Sequence, residues 1–313
     1  MFREYTKSLF KRVDKRQLMQ FKPPRLPQRI YTKTFSIDNN HYQKFCREVK
    51  WPEREHVHPL YLQMLSLPLQ MRCLLDKQSP FPLLGLVHCA NKVEVFEHCD
   101  LAKPFEYRVR FSDVRPHSRG WEVDVLLEAL QSGKCVYRAV SSYLVKVKAV
   151  HVAPTAAQTA NAISDESETR SFLSSFIASA DAGRRYAAIS GDYNPIHLST
   201  LSAKVFGFKT AIAHGMWTLA CVISHYVEHT EVVAKAGVEQ GPEDEKALCN
   251  GYIKEVSCRF KQPVYLPNEL AIYSRSPMSS ASTTSKSSAY QSVELEVTSA
   301  KDARIHLHTF LYY

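Results

Sequence analysis

The same order of predicted elements occurs twice along this chain: an apolar helix is followed by a run of antiparallel strands. In the first half, the stretch from Pro59 to Leu75 is apolar. A helix is predicted to start at Pro68, because proline is tolerated only in the first turn. In the second half, apolar residues at helical spacing follow Gly215 and predict a longer helix. The chain is therefore expected to contain two copies of one α+β unit.

Strands are predicted where β-branched and aromatic residues are enriched or alternate with polar residues. These strands are Tyr107–Phe111, Trp121–Leu127, Val136–Val147, Tyr252–Lys261, Glu269–Ser274, Val293–Thr298 and His306–Tyr312. Residues 153–164 carry no charge and contain five alanines, which is typical of a linker. The 313 residues therefore divide into a basic tail (1–29), a first unit (30–150), a linker (151–165) and a second unit (166–313).

Basic charge is concentrated at the N-terminus. Residues 1–29 hold nine basic and two acidic side chains, so they carry +7 of the chain's net charge of +9. The remainder is nearly neutral, which argues against a nucleic-acid-binding domain with a charged folded face. No stretch is predicted to span a membrane. The basic start has apolar residues at helical spacing, and we favour a solvated helix and a cytoplasmic protein over a mitochondrial targeting helix.

The cysteines and histidines do not form a metal-binding or redox motif. The eight cysteines stand apart without a Cys-x-x-Cys pair, which favours reduced thiols in an intracellular protein. His56 and His58 flank a single valine without a third ligand nearby, so both are predicted to lie on the surface. Neither a metal nor a cofactor is therefore expected.

The segment that carries chemistry lies between residues 184 and 197. Gly191 is predicted to end a short helix, and Asp192-Tyr193-Asn194-Pro195 follows as a turn. Asp192 and His197 are five residues apart across this turn, so a carboxylate and an imidazole can converge on one water molecule and deprotonate it. Taken singly, both residue types are also ordinary in turns and helix caps.

A hydrogen-bond donor is predicted near this pair. Gly215 follows His197 by eighteen residues and stands at the start of the apolar helix. A glycine there offers an unpaired backbone N–H with the helix dipole behind it, which can polarise a carbonyl and stabilise an enolate-like oxygen.

These segments resemble a known family. The run from 186 to 197, together with 213–216, is similar to the signature of MaoC-like dehydratases, the R-specific enoyl-CoA hydratases. Residues 260–267 resemble the family's later strand, and residues 81–88 resemble the degenerate first repeat of its double-hotdog members. The resemblance implies an α+β double hotdog, in which two antiparallel sheets are each wrapped round a long helix.

The resemblance also implies a reaction. It is the reversible hydration of a trans-2-enoyl thioester, carried by CoA or acyl carrier protein, to an (R)-3-hydroxyacyl thioester in fatty acid metabolism. By motif position, Asp192 and His197 are the acid/base pair, and the Gly215 amide binds the thioester carbonyl. Asn194 supports the loop behind them. The family's helix also carries a hydroxyl that supports the aspartate, for which Ser224 and Thr218 are both candidates.

The first half departs from the pattern. It lacks the Gly-Asp-x-Asn-Pro-x-x-His run, and Leu67-Pro68 stands where the second half has His214-Gly215. Because proline has no N–H to donate, this half is assigned to substrate binding without catalysis. Two alternatives stay open, a non-catalytic acyl-thioester binding module and a hotdog thioesterase, and homo-oligomerisation is also possible.

Overall fold

The computed structural model describes residues 15–20, 22–52, 55–83, 85–147, 170–235, 253–275, 292–301 and 303–313. The predicted linker and the start of the tail lie outside these residues. The described strands are β1 (Tyr31–Phe35), β2 (Val87–Val95), β3 (Phe105–His117), β4 (Gly120–Gln131), β5 (Lys134–Lys146), β6 (Arg170–Ala178), β7 (Glu255–Phe260), β8 (Asn268–Arg275), β9 (Ser292–Ser299) and β10 (Ile305–Tyr312). Each predicted strand is confirmed, and β1, β2 and β6 are added.

The ten described strands form one antiparallel sheet in the order β1-β3-β4-β5-β2-β7-β10-β9-β8-β6. Each half contributes five strands, and the order from the outer edge to the middle is the same in both. The halves meet where β2 pairs with β7, from Ala90 opposite Arg259 to Glu94 opposite Glu255. The double-hotdog fold class is confirmed, and the structure adds that the two sheets are continuous.

Helices line the sheet in both halves. They are α1 (Lys15–Leu18), α2 (Asn39–Val49), α3 (Tyr61–Leu65), α4 (Leu67–Leu74), α5 (Ala182–Ser190), α6 (Pro195–Leu198), α7 (Thr200–Val205) and α8 (Gly215–Lys235). The 21 residues of α8 form the long helix predicted for the second half. Its inner face is closed off from solvent, with Leu219, Ala220 and Ile223 each 0% exposed. Among the described residues, none of the helices is long and apolar enough to cross a membrane.

The first half has two short helices where a single long one was expected. Pro68 lies in the first turn of α4, as predicted, and α3 ends just before it at Leu65. Proline has no N–H with which to continue the hydrogen-bond ladder of α3. At the break, the Ser66 hydroxyl donates to the Gln63 carbonyl at 2.6 Å.

Helix α2 joins the two halves. Its Glu48 carboxylate accepts hydrogen bonds from the Arg185 guanidinium on α5, at 3.0 and 3.1 Å, and from the Trp217 indole on α8, at 3.1 Å. His41, also on α2, donates from Nε2 to the Ile189 carbonyl at 2.9 Å. The first half thus holds the segments that carry the predicted chemistry.

The prediction that His58 lies on the surface is wrong. Its side chain is 1% exposed, because the turn before α3 carries it between the rings of Phe45 and Trp51. Its Nε2 lies 3.3 Å from the Ala220 carbonyl of α8. Burial lowers the pKa of His58 to about 3, so the imidazole is neutral at physiological pH.

Part of the basic tail is packed onto the first half. Leu18 is 3% exposed, and its carbonyl accepts a hydrogen bond from the Trp121 indole at 2.7 Å. Pro24 and Pro27 are buried as well. From Leu18 onward, the segment predicted as a tail therefore belongs to the folded unit.

Candidate active site

The predicted turn begins where α5 ends. Gly191 adopts the left-handed conformation with φ of 73°, which favours glycine, and its N–H donates to the Ala187 carbonyl at 2.8 Å. Asp192 comes next, and its N–H donates to the Ser190 hydroxyl oxygen at 3.1 Å. The end of α5 thereby fixes the backbone from which the Asp192 carboxylate projects.

Asn194 connects the aspartate to the next helix. Its N–H donates to Oδ1 of Asp192 at 3.2 Å. Its side-chain oxygen caps α6 by accepting from the Ile196 N–H at 3.4 Å. Asn194 thus sits between Asp192 and the helix that carries His197.

His197 presents one defined ring nitrogen to the site. Its Nδ1 lies 2.8 Å from the Ile212 carbonyl, which can only accept, so Nδ1 carries the hydrogen and Nε2 the lone pair. Burial and the neighbouring His214 lower the pKa of His197 to about 3, against opposing effects of Asp192 and the Ile212 carbonyl. The imidazole is therefore neutral at physiological pH and can accept a proton at Nε2.

His214 is a site residue to which the sequence assigned no role. Its Nε2 donates to the Asp192 backbone carbonyl at 3.0 Å, and its ring stacks on His197 with centroids 3.7 Å apart. Burial lowers the pKa of His214, which keeps the ring neutral. His214 thus fastens the Asp192 turn to the start of α8. Because His214 directly precedes Gly215, the sequence could have predicted that it lies in the site.

Gly215 is the first residue of α8, so its N–H has no partner within the helix and lies at the positive end of the helix dipole. A Cβ at this position would lie 2.9 Å from Cε1 of Phe260, which is closer than real Cβ contacts. A larger residue here would therefore have to displace the Phe260 ring at the end of β7.

The hydroxyls of Thr218 and Ser224 each donate a hydrogen bond to the backbone carbonyl four residues earlier. Thr218 donates to the His214 carbonyl at 3.2 Å, and Ser224 donates to the Ala220 carbonyl at 3.0 Å. Thr218 thereby fixes the residue that holds the Asp192 turn. Asp192 itself is supported by Asn194 and His214.

Asp192, His197 and His214 each have one potential metal-ligand atom, a carboxylate oxygen or a ring nitrogen, and these three atoms lie within 4.8 Å of one another. Three such groups have the chemistry of a metal site. His214 Nε2 already bonds the Asp192 carbonyl, so of this ring only the buried Nδ1, which has no hydrogen-bond partner among the described residues, is open to an ion. A water molecule needs only the Asp192 carboxylate and His197 Nε2, which the arrangement offers without rearrangement.

A second cluster of acidic and histidine side chains lies on the second half of the sheet. It comprises Glu294, Glu296 and His308. Both carboxylates are already paired, because Arg170 and Arg275 lie 3.2 and 2.9 Å from Glu296, and His308 Nε2 lies 2.6 Å from Glu294. The cluster is an ion-pair network.

Two residues of the first half also reach the site. His88, on β2, stacks on Tyr143 with centroids 4.9 Å apart and lies 5.1 Å from the Phe260 ring. Burial lowers the pKa of His88 to about 4, and the nearby Asp192 carboxylate opposes this shift. Burial, with Asp192 acting in the same direction, raises the pKa of Tyr143. The site therefore spans the junction between the halves.

Comparison with known proteins agrees with this architecture. Residues 152–296 match the family described as "MaoC like domain". The chain is 27% identical over 211 residues to 3-hydroxyacyl-thioester dehydratase X of Mycobacterium tuberculosis. That match covers 67% of this chain and 66% of the relative, so it spans just under two thirds of the relative's length.

Solved structures show the same fold. The crystal structure of HtdX from Mycobacterium tuberculosis superposes with a TM-score of 0.66 at 22% identity, over 90% of this chain and 99% of that one. A MaoC-like dehydratase from Phytophthora capsici superposes with a TM-score of 0.61 at 14% identity, over 96% and 99%. The second half of the chain thus matches the MaoC-like domain, the fold is a double hotdog, and the sequence is similar to that of the mycobacterial dehydratase.

Proposed function

We propose that this protein is a lyase that interconverts trans-2-enoyl and (R)-3-hydroxyacyl thioesters of CoA or acyl carrier protein. The convergence of the Asp192 carboxylate and the lone pair of His197 Nε2 beside the unpaired Gly215 N–H carries this proposal. The match of residues 152–296 to the MaoC-like domain and the similarity to a mycobacterial 3-hydroxyacyl-thioester dehydratase support it.

The first step of hydration is attack by water on C3 of the enoyl group. Water is a poor nucleophile, so it is held between Asp192 and His197, and one of them takes a proton as the oxygen–C3 bond forms. The alkene electron pair moves towards the thioester carbonyl. A positioned base of this kind contributes about 10²–10⁴-fold.

The second step is protonation of C2. The Gly215 N–H and the dipole of α8 stabilise the developing enolate oxygen. The acid/base pair then delivers a proton to C2 on the face where water entered, so H and OH of one water are added syn. The reverse sequence eliminates water. No electrons are gained or lost, so the reaction is balanced without a redox partner.

The test follows enoyl absorbance and free thiol together, with crotonyl-CoA as the substrate. A hydratase consumes the enoyl absorbance without releasing thiol, and chiral analysis should find the (R)-3-hydroxy product. Thiol release would indicate a thioesterase, and binding without either change would indicate a non-catalytic module. A series from crotonyl to dodecenoyl thioesters, on CoA and on carrier protein, would define the preferred substrate.

A further inference from the structure

His88 lies where the two halves of the sheet meet. It is on β2, whose pairing with β5 shifts register between His88 and Ala90. Such bulges re-aim a side chain and are frequent beside active sites. The imidazole lies between Tyr143 of its own half and Phe260 of the other. A residue of the first half is thus directed towards the chemistry of the second.

The ring of His88 has an unused hydrogen-bonding atom. Its Nε2 is buried and has no hydrogen-bond partner among the described residues. A buried polar atom without a partner is costly, so this nitrogen calls for an explanation. The ring lies against Phe260, which in turn contacts the Gly215 position, and the Asp192 carboxylate is close enough to act on the charge of His88.

The first half also fixes the orientation of His88. The Tyr143 hydroxyl donates to Oε1 of Gln70 at 2.8 Å, and Nε2 of Gln70 donates to the Ser66 hydroxyl at 2.7 Å. Ser66 lies at the break between α3 and α4, so the break supplies the anchor of this chain. Tyr143 is thereby held as a flat surface on which His88 stacks.

The position of Phe260 indicates which part of a substrate would meet His88. The Phe260 ring contacts the Gly215 position, where the thioester carbonyl would bind, and His88 lies against Phe260. The next polar group of a CoA or carrier-protein thioester, beyond the sulfur, is the pantetheine amide. That amide offers both an N–H and a carbonyl, so a neutral imidazole nitrogen pairs with it in either tautomer.

We propose that His88 is a positioning residue, which hydrogen-bonds the pantetheine amide of a thioester bound at Asp192 and Gly215. This inference rests on the proposed function, because it takes the substrate to be a pantetheine thioester. The first half would then supply part of the active site directly.

The experiment compares two small substrates that differ in this amide. Crotonyl N-acetylcysteamine thioester carries it, and crotonyl ethyl thioester lacks it. His88→Phe keeps an aromatic ring and removes the nitrogen. We expect kcat/KM to fall about tenfold for the first substrate, the scale of one neutral hydrogen bond, and to change less than about threefold for the second. His88→Gln should recover most of the loss. His308→Phe, the same change outside the site, should affect neither substrate.

Equal losses on both substrates, or no loss on either, would overturn the proposal. Thermal unfolding of each variant checks the fold, and His88→Leu replaces His88→Phe if the phenyl ring destabilises the sheet. Binding of butyryl-CoA, which cannot be hydrated, separates this proposal from the proposed function. If the wild type does not hydrate crotonyl thioesters but His88→Phe binds butyryl-CoA more weakly than the wild type does, the proposed function is contradicted and the role of His88 is kept. Unchanged binding by the variant of an active wild type would remove only the role of His88, and a wild type that neither hydrates nor binds would remove both.

Discussion

In the second half, α8 starts at Gly215 directly after the buried His214, whereas in the first half Pro59 directly follows the buried His58 ahead of α3. The pair that the sequence placed opposite His214-Gly215, Leu67-Pro68, instead begins the second short helix. Either proline lacks the N–H that Gly215 offers. The two halves therefore share a buried imidazole before a helix and differ in the donor that follows it.

The turns before these helices differ in the same way. Helix α2 ends at the left-handed Lys50 with φ of 57°, and α5 ends at the left-handed Gly191 with φ of 73°. The next residue is Trp51 in the first half and Asp192 in the second. Trp51 is 8% exposed and packs edge-to-face against His58, so an aromatic contact stands where the second half has a carboxylate.

A cavity in the first half corresponds to the candidate active site. It is lined in part by Trp51, Val95 and Ile253. The register of β2 and β7 is symmetrical about its middle, so Val95 corresponds to Phe260, and Ile253 to His88. Histidines and a glutamate also line this cavity, but Trp51 stands where the second half has Asp192, and Pro59 where it has Gly215. The fold therefore keeps a cavity at the corresponding place without the arrangement of Asp192, His197 and Gly215.

The largest loss of activity is expected when the carboxylate of Asp192, which the first half lacks at the corresponding position, is removed. Asp192→Asn is nearly isosteric, so the turn should persist while hydration falls about 10²-fold or more in kcat. Steady-state kinetics with crotonyl-CoA, alongside circular dichroism, measures both. Asp113→Asn, on an exposed part of β3, is the matched control. Activity of Asp192→Asn within about threefold of wild type would reduce Asp192 to a turn residue.

Converting the helix start of the second half to that of the first should have the next largest effect. Gly215→Pro removes the N–H, and proline is tolerated at a first helical position. Gly215→Ala adds the same crowding against Phe260 but keeps the N–H. The proline variant should be about 10²-fold slower than the alanine variant, the scale of one oxyanion donor. Equal rates for the two variants would show that this amide does not act on the substrate.

The candidate residues that the sequence placed together lie within one short stretch of chain. Gly191 and Asp192 follow α5, His197 lies on the next helix, and Gly215 comes eighteen residues later, so their spacing was enough to group them. His88 is more than one hundred residues from Asp192 along the chain, and the pairing of β2 with β7 brings its strand to the second half. The strand β2 was missed because its polar and apolar residues do not alternate regularly enough to indicate a strand. Pro68 predicted where α4 starts, but it did not predict that a separate short helix, α3, ends just before it.

The number of ligands bound per chain would show whether the first-half cavity also binds substrate. A chain with one working site binds one ligand, and a chain with two binds two. Calorimetric titration with butyryl-CoA should saturate at one equivalent per chain, because the first half has Pro59 in place of the Gly215 donor and Trp51 in place of Asp192. Substitutions between Phe81 and Val87 should change chain-length preference without altering turnover of crotonyl-CoA. Two equivalent sites per chain, or hydration by the isolated first half, would contradict this division of roles.

The smallest effect on catalysis is expected from the N-terminal segment, part of which packs onto the first half through Leu18. Deleting residues 1–14 should leave turnover and melting temperature unchanged. Deleting residues 1–29 should also leave turnover of crotonyl-CoA unchanged, since the segment holds none of the site residues. It should nevertheless destabilise the fold, because burying one leucine side chain such as Leu18 contributes about 1.5–3 kcal/mol, and the Trp121 indole loses its acceptor. Leu18→Ala in the full chain isolates the packing contribution. A loss of turnover in the longer truncation while it remains folded would instead place this segment at the active site.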